Sequence, residues 1–309
     1  MSSTAASARP QNITLGIALI PTAALAISIQ DVIFKLFSSA MTLWQIFALR
    51  GCIAVPLLIA MCWMQNPNLA DVFRQALNRW SLLRALFITT TFLAFYGAIP
   101  FLSLSTLGAA NYSAPIFVTL LAAFAIREPV GPRGWLGVLL GFIGVLVLLR
   151  PGSDAFSFWA LMPIIGAAFY ALGHIVTRAR CQDIPAAALA LSTNIVMTLA
   201  GFVVSALIIW MAPTGGVFDA FPYVFVQWSA IATSDVLVLI VLAAFAVGNG
   251  MLLAGAYQAA PPPTVATFEY SYLVFVAIWD IVFFALMPSA PSILGMVMIV
   301  CAGLLVIRR

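Results

Sequence analysis

Apolar residues run along this chain in long blocks, separated by short polar or proline-bearing breaks. A bilayer core about 30 Å thick takes about 20 residues of helix at 1.5 Å rise per residue. On that measure the blocks predict spans at 14–37, 42–64, 81–104, 107–127, 131–149, 157–178, 186–211, 234–258, 262–285 and 291–307. The pattern thus predicts an all-α membrane protein with ten transmembrane helices. Pro56, Pro100, Pro115 and Pro163 fall inside these spans; within a bundle, neighbouring helices can satisfy the carbonyls they free. Pro261-Pro262-Pro263 marks the start of the ninth span. The longest polar stretches, Met1–Ile13, Gln65–Trp80 and Ala212–Ser234, are too short to bury a core of their own. Leu15–Phe37 is longer than the apolar region of a signal peptide and only Arg9 precedes it, so it is read as a retained span.

Composition sharpens the membrane reading. Only 7% of the 309 residues are charged and 64% are hydrophobic, against about 25% charged in soluble domains. Mean hydropathy is +1.14. The net charge of +4 comes largely from arginines near span ends and gives no support to nucleic-acid binding. With a cytoplasmic N-terminus, the inner side receives Arg9, Arg74, Arg79, Arg84, Arg127, Arg133, Arg178, Arg180, Arg308 and Arg309. The outer side receives Arg150, with Lys35 near an outer helix end. That asymmetry predicts an inner-membrane protein with both termini cytoplasmic. Cys52, Cys62, Cys181 and Cys301 are scattered without C-x-x-C spacing or histidine companions, so neither a metal site nor a disulfide framework is expected. No cofactor is expected either.

Shifting the chain by 158 residues lays Gly97-Ala98 on Gly255-Ala256, Leu136-Gly137 on Leu294-Gly295 and Leu149-Arg150 on Ile307-Arg308. A shift of 143 lays Asp31 and Lys35 on His174 and Arg178. These shifts divide the chain into a tail (1–13), a first repeat of five helices (14–150) and a second repeat of five (157–309). Five is odd, so the halves run oppositely through the membrane, the inverted arrangement found among secondary transporters.

Spans four and five carry a family resemblance. They read Leu107-Gly108-Ala109-Ala110-Asn111-Tyr112-Ser113-Ala114-Pro115, then Glu128-Pro129, then Trp135-Leu136-Gly137 and Gly141-Phe142-Ile143-Gly144. This resembles the drug/metabolite transporter superfamily in its ten-helix EamA branch, and Lys35 and Arg50 also fit. The second half departs, with Leu273 and Leu286 where Pro115 and Glu128 stand, and carries Phe268-Glu269-Tyr270 instead. The resemblance covers nearly the whole chain. It implies secondary transport through a central cavity between the halves, for solutes that range from amino acids and nucleotide-like metabolites to vitamins and drugs.

Ionisable groups at membrane depth cost roughly 2.5–3.5 kcal/mol on insertion scales, so each needs a partner or a purpose. Asp31 and Arg50 lie at matching depths, about 9–12 Å below the outer surface, on consecutive spans. They are expected to form an ion pair or share a network, serving as a structural pin, an outer gate or a contact for a substrate carboxylate. Lys35, one turn on, can snorkel to the interface. His174, Asn194 and Glu269 would form an inner counterpart. Glu269 is the proton-coupling candidate, because a carboxyl withdrawn from water can load and release a proton near neutral pH; alternatively Tyr270, Tyr272 or His174 simply satisfies it. Asp280 follows Glu269 by three helical turns, so both are expected on one pathway-lining face of the ninth span. Tyr96, Asn111-Tyr112, Asn249, Tyr257 and Gln258 add hydrogen-bonding groups. A wall of Tyr96, Trp44, Phe268, Tyr270 and Tyr272 would suit a flat ring. Gly137-x-x-x-Gly141 reads as close helix packing.

Lys35 is the sole lysine and lies in no glycine-rich loop, which excludes a P-loop pump. One histidine, no H-E-x-x-H and no G-x-S-x-G leave no catalytic constellation. The expected function is therefore a secondary transporter that moves a small organic metabolite across the cytoplasmic membrane by alternating access. A neutral or zwitterionic solute fits best, such as an amino acid or an aromatic vitamin like riboflavin. The alternatives are a membrane enzyme or a channel-like facilitator. The expected partners are that solute and the bilayer, for a monomer or a homodimer.

Overall fold

The computed structural model describes residues 12–37, 41–65, 67–102, 104–111, 113–149, 158–211, 221–287 and 289–307. Arg9, Tyr112, Arg150, Arg308 and Arg309 lie outside them. The helices are α1 (Ile13–Phe37), α2 (Leu43–Gln65), α3 (Leu69–Ala76), α4 (Arg79–Ala98), α5 (Leu104–Asn111), α6 (Ala114–Phe124) and α7 (Pro132–Leu149). There follow α8 (Leu161–Arg180), α9 (Ala186–Met211), the single turn α10 (Pro222–Phe225), α11 (Thr233–Ala259), α12 (Pro262–Glu269), α13 (Ser271–Phe284) and α14 (Ala290–Ile307). No strand occurs among the described residues. Among the described residues, seven helical stretches are long and apolar enough to cross a bilayer: α1, α2, α4, α8, α9, α11 and the α12–α13 stretch. Ala114–Phe124 and Pro132–Val147 are shorter apolar helices. The chain is a multi-pass membrane protein.

Local chemistry sets the helix ends. Asn78 opens α4 by accepting from the Trp80 N–H at 2.9 Å, and Asp235 reaches back from α11 to the Ala232 N–H at 2.8 Å. Three of the prolines expected inside spans are not interior. Pro100 lies beyond α4, Pro115 is the second residue of α6, and Pro163 occupies the first turn of α8. At those places the missing N–H breaks no helical bond. Pro56 is interior to α2 as expected, and Pro21 is interior to α1. The fourth and ninth expected spans are each interrupted, between α5 and α6 and at Tyr270. The short α3 carries an exposed Arg74–Asp71 bridge at 2.7 Å, one turn apart, and its polar sequence suits a helix outside the apolar layer.

Packing pairs α4 with α8, α1 with α11, α2 with α9 and α7 with α14. The α2–α9 crossing depends on glycine. A Cβ at Gly201 would sit 2.6 Å from the Ala48 nitrogen, and one at Gly51 would overlap the Thr198 side chain. Small residues let backbones approach closely where hydrophobicity cannot drive helices together in lipid. Gly141 has a related role, since a Cβ there would lie 2.7 Å from the Tyr270 ring.

Candidate functional site

A cavity in the middle of the bundle has an empty volume of about 1050 Å³ counting its open side. Its wall includes Asp31, Arg50, Tyr96, Asn111, His174, Asn194, Asn249, Glu269 and Tyr272, all anticipated from sequence. Tyr270 and Asp280 were expected there and are not in the wall. The turn at Tyr270, where Leu273 N–H bonds the Tyr270 carbonyl at 3.1 Å, breaks the register that would have put Glu269 and Asp280 on one face. Tyr270 packs with Val145 and Leu273 instead. Asp280 is buried and acts electrostatically on Lys35, whose ammonium donates to the Leu102 carbonyl at 2.7 Å. The expected ring-binding wall shrinks likewise. Tyr96 and Tyr272 contribute, whereas Trp44 and Phe268 do not; the Trp44 indole donates to the Val224 carbonyl at 2.9 Å.

Two buried carboxylates face this space. Asp31 on α1 is 1% exposed. Its Oδ1 accepts the Tyr96 hydroxyl at 2.8 Å, and its Oδ2 accepts the Tyr272 hydroxyl at 2.6 Å. Gln30 donates to the Tyr96 oxygen at 2.6 Å, and Asn249 donates to Gln30 Oε1 at 3.2 Å. The Tyr96 ring is itself stacked on Phe34, 3.9 Å between centroids. These bonds join α1 and α4 to α11 and α13. Glu269, at the end of α12, accepts the Tyr170 hydroxyl at 2.6 Å and the Tyr257 hydroxyl at 2.9 Å, both on Oε1. His174 packs between those two tyrosines, 4.0 Å from the Tyr257 ring and 4.2 Å from the Tyr170 ring. Neither of its ring nitrogens has a hydrogen-bond partner among the described residues.

The expected Asp31–Arg50 ion pair does not form among the described residues. The two helices do bring both groups to the cavity, but Asp31 turns to tyrosine hydroxyls. Arg50 donates through Nη2 to the Met197 sulfur and lies over the Phe47 ring at 5.5 Å. Its Nε has no partner.

Sequence reasoning missed Arg84. It counted that residue as an inner-side charge, whereas the side chain is 2% exposed and lines the cavity. Its Nε donates to Thr177 Oγ1 at 2.8 Å, and its Nη1 donates to Thr193 Oγ1 at 2.8 Å and to the Leu189 carbonyl at 3.2 Å. Tyr170 was also missed. It stands four residues before His174 on α8, so a shared helix face was the available signal. Away from the cavity, Arg178 closes α8 and bridges Glu128 at 2.7 Å. It also reaches the Gln258 carbonyl at 3.3 Å.

Comparison with known proteins agrees with this architecture. A riboflavin transporter of Brucella anthropi is 28% identical over 209 residues, which cover 65% of this chain and 66% of that one, just under two thirds of its length. A riboflavin transporter of Vibrio cholerae is 40% identical over 58 residues, 19% of each chain. One crystal structure superposes with a TM-score of 0.64 at 20% identity, covering 95% of this chain and 94% of its own, and shares the fold. Residues 14–150 match the EamA-like transporter family, so the first half of this multi-pass membrane chain is similar to that family.

Proposed function

We propose that this protein is a secondary transporter of the inner membrane that moves a small organic metabolite by alternating access. It would use ten crossings arranged as inverted five-helix halves, 14–150 and 157–309, with both termini cytoplasmic. The packing supports that symmetry. Exchange of the halves would turn the α4–α8 contact into α11–α1 and the α4–α9 contact into α11–α2, and both members of each pair occur. The α2–α9 and α7–α14 contacts map onto themselves.

The observation that carries the function is the central cavity, walled by both halves and holding two tyrosine-clamped carboxylates. Ionisable groups kept at membrane depth mark solute and proton pathways. Glu269 serves as the proton-coupling group, since neither of its bonds uses Oε2, which is left to exchange a proton or meet the solute. His174 lies beside it. Asp31 acts at the interface of the halves, because its two oxygens hold hydroxyls from opposite halves. The riboflavin transporters among the relatives make a flavin one candidate solute, and an amino acid is the other.

The test is thermal-shift binding on the purified chain against amino acids, nucleosides, flavins and other vitamins. A ligand held by the native cavity raises Tm, increasingly so as its concentration exceeds Kd. Stabilisation by one class, reduced by Glu269→Gln, is the expected result. A flat response to every class would contradict a metabolite site.

A further inference from the structure

Arg50 on α2 and Arg84 on α4 line the same cavity, both helices pack on α9, and both residues are buried. Their surroundings differ. Arg84 gives three hydrogen bonds to oxygen acceptors of α8 and α9. Arg50 is 3% exposed, and among the described residues its bonded acceptor is a sulfur. Of its five donors, one meets the Met197 sulfur and Nε meets nothing. Sulfur is a weak acceptor, and the Phe47 face at 5.5 Å offers only a cation–π contact. A buried guanidinium without a counter-charge is among the costliest groups a fold can keep. Asp31 lines the same cavity, but its oxygens accept tyrosine hydroxyls and no bond joins it to Arg50 among the described residues. The cavity wall carries aromatic rings as well, among them Phe92, Phe95 and Tyr96.

We infer that the cavity receives a solute bearing an anionic group, a carboxylate or a phosphate, which docks on the Arg50 guanidinium. The planar fork of arginine matches either anion through paired hydrogen bonds. The inference rests on the transporter reading and narrows it, for it favours an amino acid or a phosphorylated heterocycle over an uncharged flavin.

Two measurements test it. The first needs no ligand. An arginine kept for the fold should destabilise the protein when removed, as Arg84→Met is expected to do. Arg50→Met should instead leave Tm unchanged or raise it, because it deletes an uncompensated buried charge. A fall in Tm for Arg50→Met matching that of Arg84→Met would overturn the inference.

The second measures binding to the purified full-length chain with matched pairs: phenylalanine against phenylalaninamide, and flavin mononucleotide against riboflavin. The member of at least one pair that carries the carboxylate or phosphate should bind tenfold or more tightly than the counterpart that lacks it. Arg50→Gln should erase that preference, and Arg50→Lys should restore part of it. Preference for phenylalanine identifies a carboxylate, and preference for flavin mononucleotide a phosphate. Riboflavin binding that ignores Arg50→Gln would overturn the anion site and leave the transporter reading intact. No binding by any of the four would overturn both.

Discussion

Asp31 and Glu269 look like copies of one device, a buried carboxylate held by two tyrosine hydroxyls, but they are wired differently. Asp31 spends one oxygen on each tyrosine, and those tyrosines come from α4 and α13, on opposite sides of the proposed division. Glu269 takes both hydroxyls on a single oxygen, and its partners on α8 and α11 belong to the same half as α12. If the halves rock against each other, the Asp31–Tyr272 bond must break, while the Glu269 cluster moves as a unit. Asp31 is therefore suited to clasp one conformation. Glu269 is suited to keep a binding or proton-exchanging group present in both.

The largest expected effect is functional. Glu269→Gln keeps the size and most of the hydrogen bonding but removes the titrating proton. Accumulation driven by an imposed pH gradient in proteoliposomes should fall by tenfold or more, with exchange down a solute gradient retained. If the substitution left both untouched, Glu269 would be no different from a structural carboxylate.

Next in size is Asp31→Asn, which weakens two charge-assisted bonds and should lower stability by about 1–3 kcal/mol in thermal unfolding. It should also weaken discrimination between the two conformations. Unchanged stability would mean that the clasp holds nothing. Smaller again is the contrast between tyrosines. Tyr272→Phe strips Asp31 Oδ2 of its hydroxyl partner and should cost about 1–3 kcal/mol. Tyr257→Phe leaves Tyr170 on the same Glu269 oxygen and should cost less. Equal losses would erase the difference between the two sites. Least of all is the coupling of Asp31 to Arg50. With no bond between them, Asp31→Asn and Arg50→Gln should add to within about 0.5 kcal/mol in a double-mutant cycle. A larger coupling would restore the ion pair that the structure lacks.

Hydropathy made the helix positions legible because lipid imposes one length on every crossing. The expected 186–211 span coincides with α9, and the expected start at 262 coincides with α12. The interruptions at Tyr270 and between α5 and α6 were invisible to it, because a change of one turn in backbone register leaves the apolar pattern intact. Depth reasoning put Asp31 and Arg50 at one level, and both line the cavity, but depth says nothing about which way a side chain points around its helix. Glu269 was legible as a buried carboxylate, and its partners were not. Tyr170 and Tyr257 come from other helices, whereas the sequence offered its neighbours Tyr270 and Tyr272. Arg84 was misread because a cation six residues into a helix resembles an interfacial anchor until Thr177 and Thr193, from α8 and α9, close over it.

Alternating exposure of the cavity is the central claim, and side-specific labelling tests it most directly. Ala246 lines the cavity and takes part in neither carboxylate cluster. In a background with the four native cysteines replaced, Ala246→Cys should react with a membrane-impermeant thiol reagent from either face of oriented vesicles. A transported solute should shift the balance between the faces. Labelling from one face alone under every condition, or equally from both faces with no response to solute or pH gradient, would contradict alternating access.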